Sequence, residues 1–338
     1  MGASEAGRAP GAAAAARGGA AWQAVAERGS IWGLRFTVAC YRLLGRRASL
    51  GLVYAVVTYF FLTDPAGRRA SRAYLARVRR VARTRGGPAA TLVPRLRASY
   101  RHYCAFALAI VDRLAIWFDR AGDFVFETHG VERFDDLARE GRGAVILGAH
   151  LGSFDALRLL AKRTGKTVHV LMFTANAPRI NAVFREISPE AEARIIHAAP
   201  GSVAAAFEIR ACLRRGEHVA ILADRMEAND RGRGARVSLL GDPVELPEGP
   251  FLLACALGCP LFWMVALREG PARYRVHAEE LAPARRVRPA ERNGAAAELM
   301  AAYAERLEHY TLQAPLQWFN FFDYWGDARA AAGEEAQP

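Results

Sequence analysis

Between residues 121 and 326, short apolar runs alternate with segments of helical period, and this rhythm constrains the chain more than any other feature. The runs 124–128, 144–149, 167–173, 193–197, 218–223, 237–240, 260–267 and 274–279 predict strands. Residues 153–163, 177–187, 202–215, 250–257 and 290–312 predict helices. Strands that alternate with helices need crossover connections, so the expected fold class is α/β, a mainly parallel mixed sheet flanked by helices. No repeat of solenoid length is present. A hydrophobic content of 52% in 338 residues is ample for such a core and excludes a disordered chain.

Charge divides the chain differently. Residues 1 to 120 hold 20 arginines against 5 acids, whereas the remainder holds 26 basic and 29 acidic residues, so the whole net charge of +12 resides in the N-terminal third. A basic, apolar segment ahead of a nearly neutral domain suits an anionic surface, either phospholipid headgroups or nucleic-acid phosphates. No helix-turn-helix, zinc-finger or RNA-recognition signature accompanies the arginines, which argues against a nucleic-acid-binding protein. That class is the alternative reading. The five cysteines are odd in number and scattered among apolar residues, as expected of reduced core thiols, and Cys255-x3-Cys259 alone is a poor zinc signal.

Residues 1–28 open on a low-complexity Ala/Gly stretch and are expected to be a disordered tail, as are residues 327–338. Residues 29–120 form the apolar and basic helical region. Its longest uncharged stretch, 48–63, would rise about 24 Å as a helix against a hydrocarbon core of about 30 Å. That is short for a span. Leu50, Val53, Val57, Phe60 and Phe61 with flanking arginines fit a helix lying in one leaflet, with a buried hairpin of a soluble protein as the other reading. Residues 68–85 read as a basic helix that Gly86-Gly87-Pro88 ends.

In a parallel sheet, chemistry belongs just past the carboxyl ends of strands. The buried run 144–149 leads straight into His150-Leu-Gly-Ser-Phe-Asp155 and a helix. Gly148 and Gly152 give the turn its backbone freedom and Ser153 is a suitable N-cap. With His150 ahead of the helix, its imidazole can meet the Asp155 carboxylate and act as a general base toward a hydroxyl. A bare H-x4-D is common by chance. This one is followed by Ile221-Leu-Ala-Asp-Arg225, Leu239-Leu-Gly-Asp-Pro243 and Glu245-Leu-Pro-Glu-Gly-Pro-Phe251.

Together with RYRVHAEEL and the closing PLQWFNFFDYW, these segments resemble the lipid A late acyltransferase family of the lysophospholipid acyltransferase superfamily. The resemblance runs from about Gly29 to Trp325. It implies an α/β acyltransferase domain at 121–326 with membrane-associated N-terminal helices, at the cytoplasmic face of the inner membrane. By the same resemblance, His150 and Asp155 are catalytic. Asp224 and Arg225 would serve phosphate or donor binding, and Pro247-Glu248-Gly249 would bind the acceptor, although Glu248 could instead cap the following helix. Relatives acting on lipid A usually read HFGNWE where this chain reads HLGSFD, a change that keeps the carboxylate and leaves the acceptor open.

The implied partners are acyl carrier protein or acyl-CoA as donor, a lipid acceptor and an anionic membrane surface. Direct transfer requires no metal or other cofactor, in keeping with the lack of a convincing nucleophile and of the G-x-S-x-G signature of hydrolases. Backbone N–H groups of Gly152 and Ser153 are the expected donors to the tetrahedral oxyanion. Arg231, Arg233 and Arg236 form either a phosphate-gripping loop or a solvated turn. The aromatic group Trp318 to Trp325 reads as core.

Overall fold

The computed structural model describes residues 43, 50–173, 194–198, 202–226 and 233–326. The expected helix at 177–187, both tails, Arg231 and nearly all of 29–49 lie outside the described residues. The described strands, in chain order, are β1 (Val125–His129), β2 (Val145–Gly148), β3 (Val168–Phe173), β4 (Ile195–Ala198), β5 (His218–Leu222), β6 (Gly234–Leu239), β7 (Asp242–Pro247), β8 (Leu261–Gly270) and β9 (Arg273–Ala282). Seven of them form one sheet in the order β1-β9-β8-β2-β5-β3-β4. All its pairs are parallel except β8 with β9. The fold is therefore the α/β arrangement expected, with a mostly parallel mixed sheet.

The described helices are α1 (Leu50–Thr63), α2 (Pro65–Arg85), α3 (Leu96–Trp117), α4 (Glu132–Arg139), α5 (Phe154–Arg163), α6 (Val203–Arg214), α7 (Gly249–Leu257) and α8 (Arg292–Gln313). Two elements escape the sequence pattern for identifiable reasons. In α4 only Phe134 and Leu137 are buried, too few apolar residues to announce a helix. In β7, Pro243 and Glu245 face outward while Val244 and Leu246 are buried, a period of two that the proline and acids obscure. It pairs antiparallel with β6 across Leu240-Gly241, both at positive φ (54° and 78°), as a tight two-residue hairpin turn requires. Arg77 and Arg80 of α2 grip that hairpin through the Asp242 carboxylate at 2.7 and 3.0 Å.

The early helices pack on the sheet. Tyr74, Leu75 and Val78 of α2 share a core with Val145, Leu147, Trp263 and Tyr303. Val111 and Leu114 of α3 share another with Val53 and Val57 of α1, Leu159 of α5 and Tyr274 of β9. Asp64 ends α1 and caps α2 by accepting from Gly67 N–H at 3.0 Å, and Pro65 fits the first helical position, where a missing N–H costs nothing. The two helices meet at 94°. Among the described residues no single helix is long and apolar enough to cross a membrane; only the bent α1–α2 pair reaches that length and composition.

Candidate active site

Strand β2 is buried along its whole length between β8 and β5, so its carboxyl end opens where β8, β5, β3 and β4, which run in the same direction, also finish. The register pairs Gly148 with Leu222. Two residues further along each strand stand His150 and Asp224, and this register brings them together. His150 Nδ1 lies 2.8 Å from Asp224 Oδ1, and the His150 backbone N–H donates to Asp224 Oδ2 at 3.1 Å. Because a carboxylate only accepts, Nδ1 carries the ring proton and Nε2 keeps a lone pair. No hydrogen bond to Nε2 exists among the described residues, and the side chain is 34% exposed.

Asp224 is completely buried and is held from three further directions. Trp318 Nε1–H donates to its Oδ2 at 2.9 Å, Tyr324 O–H donates to its backbone carbonyl at 2.6 Å, and Arg225 Nε stands 4.0 Å away. Burial alone would raise this carboxyl's pKa, but His150, Arg225 and the Trp318 N–H outweigh it and leave Asp224 far below the usual carboxylate range. His150 moves down from 6.5, chiefly through burial and then through the Arg225 charge, with Asp224 opposing both. At neutral pH the imidazole is a free base.

The pairing of His150 with Asp155 expected from the H-x4-D spacing is not what the chain forms. Ser153 caps α5, its Oγ accepting from Ala156 N–H at 3.2 Å, and Asp155 in the first turn faces α3. There it accepts from Arg113 Nε at 2.6 Å and Trp117 Nε1 at 3.0 Å, with Arg158 at 4.0 Å. Burial pushes its pKa up, and Arg113 with Arg158 reverses that to hold it below 3.8. A carboxylate already neutralised on α3 has no cause to turn to the imidazole, and Asp224 occupies the Nδ1 side.

The turn itself depends on Gly152. Its φ is +70°, and a Cβ there would lie 2.2 Å from the Ala266 carbonyl oxygen. The expected oxyanion donors are likewise corrected: Gly152 N–H donates to Gln317 O and Ser153 N–H to Ala266 O, both at 2.9 Å, so neither is available to a ligand. Leu151 and Trp318 bridge antiparallel, and Phe319 N–H donates to His150 O at 3.1 Å. The segment 314–326 is thus bound along the histidine loop. Arg225 secures it further by donating to Phe319 O and Asn320 Oδ1 at 2.8 and 3.2 Å, its guanidinium 5.3 Å from the Phe322 ring.

A model of the bacterial lipid A biosynthesis acyltransferase family matches residues 95–326, more than half of the chain. The chain belongs to that family. A search of the curated proteins finds no match. The stretch shared with lipid A biosynthesis acyltransferases begins at α3 and runs to the last described residue, so it contains His150, Asp224 and Trp318 together. The protein is an acyltransferase of lipid A biosynthesis by this membership.

Of the remaining residues expected in the acyltransferase site, Glu248 precedes α7 and its side chain makes no cap hydrogen bond, contrary to the capping role open to it in the sequence. Gly249 is exposed at the helix start, and Arg233 and Arg236 are exposed on β6 and the residue before it. Sequence reasoning missed Trp318 as a site residue, and Arg113 and Trp117 as the partners of Asp155. A buried indole N–H must find an acceptor, which is the one available signal for Trp318. Among the described residues one group has metal-ligand spacing, His169, Cys212 and Glu217. It does not fit a cation, because the Arg215 guanidinium sits in it, 2.6 Å from Glu217 and 3.2 Å from Cys212. It also lies at the amino ends of β3 and β5, the end of the sheet opposite His150.

Proposed function

We propose that this acyltransferase moves a fatty acyl chain from a thioester, on acyl carrier protein or coenzyme A, to a hydroxyl of a lipid A-like or related cell-envelope lipid, with His150 as general base. The observation that carries the reading is the one-third-exposed imidazole (34%) whose Nδ1–H is fixed by a buried carboxylate and whose Nε2 has no hydrogen bond among the described residues. His150 Nε2 accepts the acceptor's hydroxyl proton as that oxygen attacks the thioester carbonyl carbon. Collapse of the tetrahedral intermediate breaks the carbon–sulfur bond, and the imidazolium returns the proton to the departing thiolate. An ester and a free thiol result, with no covalent enzyme intermediate. Asp224 holds the imidazole's tautomer and supports its cation during the step, and Asp155 acts at one remove by anchoring α3 to the start of α5.

The same reading puts the enzyme at the cytoplasmic face of the inner membrane, and α1 supports contact with a membrane. The helix carries no charged residue. Val53 and Val57 face inward, yet Tyr54, Val56, Tyr59, Phe60 and Leu62 stay exposed on its other sides, with Tyr59 at 63% and Leu62 at 67%. A helix apolar all round belongs against another apolar phase, and burying each such side chain is worth about 1.5–3 kcal/mol. The arginines of α2 adjoin it and suit anionic headgroups. The decisive experiment is mass spectrometry of total lipids from cells with the gene, without it, and with His150→Ala. One acylated species should vanish in both altered strains; an unchanged lipid profile would refute the assignment.

A further inference from the structure

Between the α2–α3 connection and the start of the C-terminal segment lies a cavity of about 620 Å³ that the mechanism above does not use. Leu92, Leu316 and neighbouring alanine and proline residues give it apolar walls, and Arg95, Arg97 and Arg101 line it with three guanidinium groups. None of the three arginines has a carboxylate partner among the described residues, and the first turn of α3 holds no acid. Arginines packed against the rest of the fold are paired, Arg77 and Arg80 with Asp242, Arg113 with Asp155, Arg268 with Asp112, whereas these three converge on one cavity without an acid. Three like charges around one cavity repel each other unless an anion joins them, and guanidinium groups match phosphate oxygens in bidentate geometry. Apolar walls beside them suit an attached alkyl chain.

One lining residue also touches the histidine loop. Gln317 lines it, and the Gln317 carbonyl accepts the Gly152 N–H two residues from His150. Its side-chain amide is fixed in turn on the Arg268 backbone, with Oε1 accepting from Arg268 N–H at 2.8 Å and Nε2 donating to Arg268 O at 3.0 Å. Gln317 thus joins the groove of the three arginines to the Gly152 turn.

We infer that this groove binds the phosphate-bearing head of the lipid acceptor, so that Arg95, Arg97 and Arg101 select a phosphorylated lipid and hold it beside His150. The inference rests on the acyl-transfer reading. Its test is the full-length protein carrying R95Q, R97Q and R101Q together, assayed with one acceptor lipid before and after phosphatase treatment. The wild type should show a KM for the phosphorylated acceptor about tenfold or more below that for the treated one, and the triple variant should bring that ratio close to one. The donor KM should not move. An unaltered ratio, or a rise in the donor KM in its place, overturns the assignment.

Because the three side chains are exposed and have no carboxylate partner among the described residues, the melting temperature should stay with the wild type, and R95K with R97K and R101K should restore part of the selectivity. A second readout is independent of turnover: calorimetric titration of the protein in neutral detergent with lauroyl lysophosphatidic acid and with monolauroylglycerol. The wild type should bind the phosphate compound alone and the triple variant neither. Wild-type protein that transfers no acyl group would defeat the acyltransferase mechanism while this titration still decided the groove. Phosphate-dependent binding without any change in the kinetic ratio would assign the groove to bulk anionic lipid and defeat the acceptor assignment.

Discussion

Asp224→Asn separates the two carboxylates that could poise His150, because it changes hydrogen-bonding capacity at nearly constant shape. The Asp224 carboxylate accepts three N–H groups: His150 Nδ1 at 2.8 Å, Trp318 Nε1 at 2.9 Å and the His150 backbone at 3.1 Å. Asparagine supplies one acceptor oxygen and an NH2. The amide orientation that satisfies most donors turns its oxygen to Trp318 and the backbone, and its NH2 to Nδ1. To accept from that NH2, Nδ1 gives up its proton and Nε2 takes it. The base is then blocked, and by analogy with tautomer inversion in hydrolase triads kcat should fall about 10³- to 10⁴-fold, or about 4–5.5 kcal/mol of barrier. Asp155→Asn leaves all three bonds in place. It weakens an ion pair whose arginine is 47% exposed, an effect of about 1 kcal/mol and less than about tenfold in rate. Single-turnover transfer from a radiolabelled acyl thioester, with ¹⁵N shifts of the His150 ring as a tautomer readout, measures both. Turnover by Asp224→Asn within tenfold of wild type, or equal losses in the two variants, would refute the reasoning.

Three other outcomes follow from the same geometry. The base must be neutral to accept a proton, so kcat/KM should fall with falling pH, and the depressed pKa of His150 places that acid limb below pH 6.5; a limb above 6.5 in a rate profile would contradict it. Gly152→Ala adds a left-handed residue and a methyl 2.2 Å from a carbonyl oxygen, which should destabilise the fold by at least about 2 kcal/mol in urea denaturation, and wild-type stability would disprove the close approach. Trp318→Phe keeps most of the ring packing against Tyr74 and Trp325 but removes an N–H from a buried anion, a loss of about 1.5–3 kcal/mol that should appear as a roughly tenfold or greater fall in kcat; unchanged kcat would show the bond to be idle.

Local pattern carried the reading of the sheet and of His150, because a buried strand, a turn glycine and an N-cap serine are all recorded within a few neighbouring residues. The partner of the histidine is not local. Asp224 lies 74 residues away and reaches Nδ1 only because β5 is the strand beside β2, a fact of sheet order that no period or spacing in the chain encodes. Asp155, five residues on, was the visible carboxylate, but its direction depends on α3 supplying Arg113 and Trp117 from forty residues upstream. The same limit applies to the N–H groups of Gly152 and Ser153. Their helix-start position suggested free donors, whereas carbonyls of Gln317 and Ala266 from remote segments take both.

The dependence of Asp224 on Trp318 and Tyr324 has a consequence for biosynthesis. A chain emerging from the ribosome has made His150 and Asp224 long before it makes the indole and the phenol that lock them. Until translation passes residue 324, the nascent polypeptide holds an unfinished base. Loss of the last few aromatic residues would therefore leave His150 and Asp224 in the chain without the indole and phenol that fix them.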